Sequence, residues 1–329
     1  MASASGISTR PYAGRTFRSA DHAGPEGPAC VSGTDRGFAL AESLIAVAIL
    51  LIIMTTVTSA LLQLSTAERS IWNRTEMHSS VRSATELLQQ EVGQAGRVAL
   101  PGVVTLAGPA TFGSQLVRVS SAAGMFVGEQ LVVDAGAAQE TVALTAVNAG
   151  ASQITAMFTL NHAAGAAVIA VGGFASGIVP PAMANGSTGG VLKMFGDINS
   201  DGNMVYIEYT CDTVQHSLSR NVMAWNAASK PALTSAQILL SNIVANPSGT
   251  PCFLYQTEVV GANTYVTDVA ITLTVQTQKR DPLTNLFQTE TKTLLNVSPR
   301  NVFDAWELAS IGLVNRIQPM PPSIMALLH

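Results

Sequence analysis

The sequence predicts an α+β protein, in which one long N-terminal helix leads into an antiparallel, β-rich body. Three observations predict it. No Pro or Gly interrupts the chain between Phe38 and Val92, and Glu42 is the only charged residue from Phe38 to Leu64. Gly, Ala, Thr, Val and Ser dominate beyond residue 100, a composition that favours short strands and turns. Near the C terminus, Val269-Ala270-Ile271-Thr272-Leu273-Thr274-Val275 alternates with the period of two that marks a strand with one buried face.

Residues 1–36 carry Arg10, Arg15, Arg18 and Arg36 among Gly, Ser and Pro, without apolar periodicity. Residues 38–64 then form an apolar run about as long as the ~20 residues that cross a bilayer as a helix. Arginines just before such a segment hold that side in the cytoplasm. Glu42 is the oddity of the run, because a carboxylate near hydrocarbon is costly unless it is partnered, and such groups are usually functional. Residues 65–96 continue as an amphipathic helix: Ile71, Trp72, Val81, Leu87, Leu88 and Val92 are interleaved with Glu68, Arg69, Arg74, Glu76, Arg82, Glu86 and Glu91. One helix of about 55 residues would extend ~80 Å. Gly93, Gly96 and Pro101 supply its stop.

Residues 103–175 read as an inserted all-β module. Runs such as Gln115–Val119, Gln130–Val133 and Glu140–Leu144 are separated by Gly and Ala-Gly steps, as in a small antiparallel sandwich or barrel. Phe158, His162 and Phe174 read as core or turn residues. Residues 188–300 form a second β region, the head, with strands at Val191–Gly196, Met204–Cys211 and Ser217–Val222. A hairpin follows, pairing Val269–Thr277 with Phe287–Leu295 across Arg280-Asp281-Pro282. In the C-terminal segment, 301–329, Pro299 opens a short helix through Trp306, and the tail from Pro319 to His329 reads as loosely held.

A charged leader ending in Gly37, followed by Phe38-Ala39-Leu40-Ala41-Glu42 and an apolar helix, resembles the processing site of type IV prepilins and pseudopilins. Leu87-Leu88-Gln89-Gln90-Glu91-Val92-Gly93-Gln94-Ala95-Gly96 resembles the end of the first helix in PilW-type minor pilins. The last hairpin with its Ser298-Pro299-Arg300-Asn301 exit resembles theirs as well. The resemblance implies a type IV pilin-like fold and removal of residues 1–37 by a prepilin peptidase, which cuts after Gly37 and methylates the new amine of Phe38. It also implies that Glu42 pairs with the terminal amine of a neighbouring subunit. The implied partners are that peptidase, other major and minor pilins and an inner-membrane assembly platform. The implied location is the bacterial inner membrane, with the N terminus cytoplasmic and the head outside, and then the pilus. Residues 103–171 lie outside the resemblance.

Of three cysteines, Cys30 lies in the implied leader. Cys211 and Cys252 remain, an even pair in a portion facing an oxidising exterior, and are expected to bond. Asp197-x-Asn199-x-Asp201-Gly202 followed by Glu208 satisfies a calcium-loop string, making Asp197, Asn199, Asp201 and a carbonyl near Asn203 candidate Ca2+ ligands. Glu208 is doubtful in that set: in an extended strand it lies about 16 Å from Asn203. The string is equally that of an Asp-Gly hairpin turn.

The charged fraction is 12% and the net charge −4, so no basic surface suggests nucleic acid. The five histidines have no metal-ligand spacing, and no hydrolase, metalloprotease or phosphate-cradling motif is present. The expected function is therefore structural and non-enzymatic, a PilW-like minor pilin in pilus assembly or priming. The alternatives are a type II secretion pseudopilin and a membrane-anchored adhesin or calcium-dependent binding module.

Overall fold

The long apolar and amphipathic run folds as helix α1, Leu40–Gln94, 55 residues, in a computed structural model that describes residues 40–329. The processing residues Gly37 and Phe38 lie outside the described residues. The chain divides into two units, residues 1–60 and 61–329. In the first, the described apolar side chains are exposed, from Leu40 at 81% to Val57 at 49%. In the second, the same helix buries Met77, Val81, Ala84, Leu88 and Val92, at steps of three and four that line one face. The helix ends where the chain must turn left-handed at Gly96, φ 82°. A Cβ there would lie 2.7 Å from a Val302 methyl, so the position requires glycine twice over.

The module after α1 is a closed barrel, which decides the sandwich-or-barrel alternative. Its strands are β1 (Val104–Thr105), β2 (Gly113–Arg118), β3 (Gln130–Val133), β4 (Glu140–Asn148), β5 (Gln153–Phe158) and β6 (Ala167–Ala170). They are ordered β1-β6-β3-β4-β5-β2, and an antiparallel bridge between Leu106 and Val119 joins the two ends. Two backbone bonds carry that bridge, Ala107 N–H to Arg118 O and Ser120 N–H to Thr105 O, each 2.8 Å. Closure removes the exposed strand edges that an open sheet would present. Leu131, Val133, Leu144, Ile154 and Phe158 fill the interior, and Phe158 and Phe174 are fully buried, as expected of core residues.

The chain returns from the barrel through β7 (Gly173–Phe174). Gly173 bridges Arg97, and the Phe174 N–H donates to Gly96 O at 2.9 Å. The head then forms two antiparallel sheets. The first consists of β8 (Val191–Gly196), β9 (Val205–Asp212), β10 (Ser217–Ala224) and β11 (Ile238–Ser241). The second is built on the 14-residue β14 (Asn263–Gln276), which pairs with β12 (Ile243–Val244), β13 (Phe253–Val260) and β15 (Thr289–Val297). The expected hairpin is β14 with β15, but β14 is buried on both faces between Ile271 and Val275. Ile271, Leu273 and Val275 join the main core. On the other face the Asn246 amide donates to Thr272 O at 2.8 Å and its oxygen accepts the Thr274 hydroxyl at 2.8 Å. Cys211 and Cys252 form a disulfide, Cα atoms 6.4 Å apart, tying β9 to the start of β13.

Helix α2 (Arg300–Ser310) follows Pro299 and runs beyond Trp306. Then β16 (Ile317–Gln318) pairs in parallel with β7, and helix α3 (Pro322–Leu327) ends the elements. The tail is not loosely held: Ile324, Leu327 and Leu328 are buried in a cluster with Phe174, Phe195 and Tyr206. The Lys193 ammonium, itself 8% exposed, donates to Leu328 O at 3.0 Å and Asn185 O at 2.8 Å. Apolar spacing at i, i+3 and i+4 gives this short segment enough buried surface to dock.

The stripe that joins α1 to both sheets contains one charge. Glu91, 5% exposed, accepts the Tyr209 hydroxyl at 2.6 Å and Arg220 Nε at 3.0 Å, and a second Arg220 nitrogen reaches its other oxygen. Arg220 and Tyr209 face one another across β10 and β9. Removing one partner of such a buried group strands the others. Glu91→Ala is expected to cost about 3 kcal/mol, the lower end of the range for buried pairs because Arg220 keeps some solvent. The check is the denaturant midpoint, with Glu91→Gln losing less because it still accepts the Tyr209 hydroxyl.

Candidate functional site

The feature that stands out chemically is the first half of α1. Among the described residues, α1 is the one helix long and apolar enough to cross a membrane, and none of its most apolar window is buried within the protein. Two of its polar side chains suit apolar surroundings: Thr55 and Thr56 donate their hydroxyls to Ile52 O and Ile53 O, both at 2.8 Å. Hydroxyls bonded back to the helix leave no donor unpaired in hydrocarbon. Glu42 lies in the first turn, where a carboxylate suits the positive end of the helix dipole.

The residues of the calcium-loop string are brought together in a tight turn between β8 and β9, and the turn uses the donors itself. Asp197, 1% exposed, accepts the backbone N–H groups of Asp201 at 3.0 Å and Gly202 at 3.3 Å. Its second oxygen lies 3.6 Å from Arg97 Nε, while Arg97 also donates to the Ser200 hydroxyl at 2.7 Å. Asp201 accepts the Asn203 N–H at 2.8 Å. Glu208 stands apart on β9, opposite Lys193 and Asn221. It accepts the Tyr206 hydroxyl at 3.0 Å and the Lys230 ammonium at 2.7 Å. Among the described residues no group of three or more His, Cys, Asp or Glu side chains is arranged to hold a metal. As they stand, the oxygens of Asp197 face a cation and amide donors supplied by the protein.

No protein-family model matches this chain, and no curated protein and no solved structure is significantly similar to it.

The carboxylate partners of His162 and the burial of Glu129 escaped the sequence reading. His162, a core residue as expected, has a side chain closed to solvent and a carboxylate at each ring nitrogen: Asp134 at Nδ1, 3.2 Å, and Glu140 at Nε2, 2.6 Å. Glu140 also accepts the N–H groups of Thr159 at 2.8 Å and Leu160 at 3.1 Å. The two carboxylates sit on opposite edges of the ring, so they brace it and do not converge on a common point. Nothing local announces this, since the three residues are scattered over the barrel. Glu129 is fully buried at the start of β3, with one oxygen on the Phe126 N–H at 3.3 Å and the other without a hydrogen-bond partner. Burial pushes its carboxyl up to about 8, against the weaker opposing pull of that N–H. Glu91 did leave a signal: it falls at the same three-and-four spacing as Met77, Val81, Ala84 and Leu88.

The sign of the Glu129 effect follows from proton uptake. Between pH 4.5 and about 8 the folded chain keeps the proton that the unfolded chain releases, so stability falls as pH rises through that window and levels off above it. Glu129→Gln, neutral throughout, is expected to flatten this slope and to gain on the order of 3 kcal/mol over the parent at the alkaline end. Denaturant midpoints measured at acidic and alkaline pH check it.

Proposed function

We propose that this chain is a pilin-like structural subunit of the PilW-type minor pilin kind, inserted in a membrane through α1 and drawn from there into a type IV pilus. The observation that carries the reading is a single helix with two different surfaces. In the sequence it follows directly on Gly37-Phe38-Ala39, with Glu42 in its first turn; its first half presents apolar side chains outward, and its second half is built into an antiparallel β head. An outward apolar surface on one half needs lipid or other helices around it. Built in this way, the subunit moves from bilayer to filament by exchanging lipid for the apolar helices of neighbouring subunits. Glu42 sets the register of that exchange by pairing with the amine of a neighbour's Phe38, which exists only after the cut at Gly37. The barrel adds bulk beside the head, which suits a tip or priming position better than a repeating shaft. A type II secretion pseudopilin would share the processing site, and twitching and secretion assays on a deletion strain separate the two.

N-terminal sequencing of the mature protein is expected to begin at an N-methylated Phe38; an intact leader in a strain with active peptidase would overturn the reading. Glu42→Ala is expected to insert and be cleaved normally, yet to fall several-fold in sheared filaments. Undiminished recovery would remove the assembly role of Glu42.

A further inference from the structure

The connection between β14 and β15 exposes three large apolar side chains, Leu283 at 76%, Leu286 at 64% and Phe287 at 40%. Exposure of this kind is common in slack loops, but this one is firmly built. The Asp281 carboxylate accepts the N–H groups of Leu283 at 2.7 Å and Thr284 at 3.4 Å, and Gln288 donates to its other oxygen. Backbone bonds join Asp281 N–H to Leu286 O and Asn285 N–H to Asp281 O, both at 2.8 Å. Arg280 donates to Asn285 O at 3.0 Å and lies over the Phe287 ring, 4.9 Å from its centre. The turn is also fastened to α1, because the Ser70 hydroxyl donates to Asp281 Oδ2 at 3.1 Å.

The place of that fastening gives the apolar tip its meaning. Ser70 lies six residues beyond Leu64, the last residue of the apolar run, and Leu61, Leu62 and Leu64 are themselves 58–64% exposed. At the same level of α1, Arg69, Ile71, Trp72 and Arg74 are all exposed, Trp72 at 73% and on the side of the helix away from Ser70. On the turn, Lys279 and Arg280 are exposed as well. Against these stand Glu68 and Glu76 on α1 and the Asp281 carboxylate within the turn, which leaves an excess of one cation. Apolar side chains, a Trp and snorkelling Lys and Arg at the end of an apolar helix form the composition of a membrane–water interface, and a cation excess favours anionic headgroups.

We propose that the 279–288 turn is a second membrane contact, in which Leu283, Leu286 and Phe287 enter the headgroup region of the bilayer that α1 crosses, at the level of Ser70. This rests on the membrane reading of α1 and adds to it.

The test is a depth measurement on the full chain, reconstituted in vesicles of equal parts phosphatidylcholine and phosphatidylglycerol. In a Cys30→Ser background, spin labels are attached singly at Leu286→Cys, Leu50→Cys and Leu116→Cys, the last an exposed site on the barrel. Collision with oxygen relative to a water-soluble nickel complex is expected to be highest at 50. The ratio at 286 is expected to stand several-fold above that at 116. If 50 is deep but 286 is as open to nickel as 116, the turn does not touch lipid and this proposal falls while the span stands. If 50 is itself open to nickel, the membrane reading fails and the proposal falls with it.

Discussion

The packing of one helical stripe, from Met77 to Ala95, holds the two sheets of the head together. Neither head sheet covers the other completely, and both send their apolar residues to the same face of α1: Leu192, Ile207 and Leu218 from one, Val269, Ile271 and Leu273 from the other. Because burial has no preferred direction, such a stripe alone would tolerate sliding or rotation of the helix. The Glu91 contact with Arg220 and Tyr209 does not, since it demands two charge-assisted bonds and a hydroxyl bond at one point. Apolar area supplies the affinity and one buried charge supplies the register, a division of labour known from helical assemblies. The disulfide between Cys211 and Cys252 joins the two sheets within the same core.

That register bears on function under the proposed reading. A subunit whose helix is held by lipid, and later by other helices, must carry forces between that helix and its head without slipping. The polar contact at Glu91 lies close to the C-terminal end of α1, and the fastening of Asp281 to Ser70 lies nearer its middle. Between them the His78–Glu290 pair and the Gln278 bond to Glu76 add further polar contacts, so the head is held to the helix along several turns.

Much of this was legible in the sequence because the signals were periodic and uninterrupted. The continuous helix follows from a chain free of Pro and Gly over Phe38–Val92, and strands β8, β9, β10, β14 and β15 follow from alternation. Strand β13 was not read, because most of its side chains are exposed and its sequence carries no clean alternation. The tail was misjudged because three prolines among Pro319, Pro321 and Pro322 masked the spacing of Ile324, Leu327 and Leu328. The Asp197 string shows a deeper limit. A carboxylate in an Asp-x-Asn-x-Asp-Gly turn serves equally to accept backbone N–H groups or to hold a cation, and the arginine beside it, Arg97, is distant in sequence. The His162 cluster has the same character, its three members being joined only by closure of the barrel.

The crossing of chain segments around Gly96 has one further consequence. A Cβ on Gly177 would stand 2.1 Å from Gly96 Cα, and one on Gly173 would stand 2.5 Å from Asn301 O, so these backbones touch with nothing between them. Through this crossing the chain leaves the head at Arg97 and comes back at Gly173, and those two residues are paired in a single antiparallel bridge. The chain therefore enters and leaves the barrel at neighbouring points, and the barrel is braced further by Phe126 against Phe174 and Trp225 and by the Gln318 amide on Gln130. Its six strands share no ladder with either head sheet. Entry and exit this close together let six strands be inserted without altering the strand order of either head sheet, while small residues at 96, 173 and 177 let the segments cross.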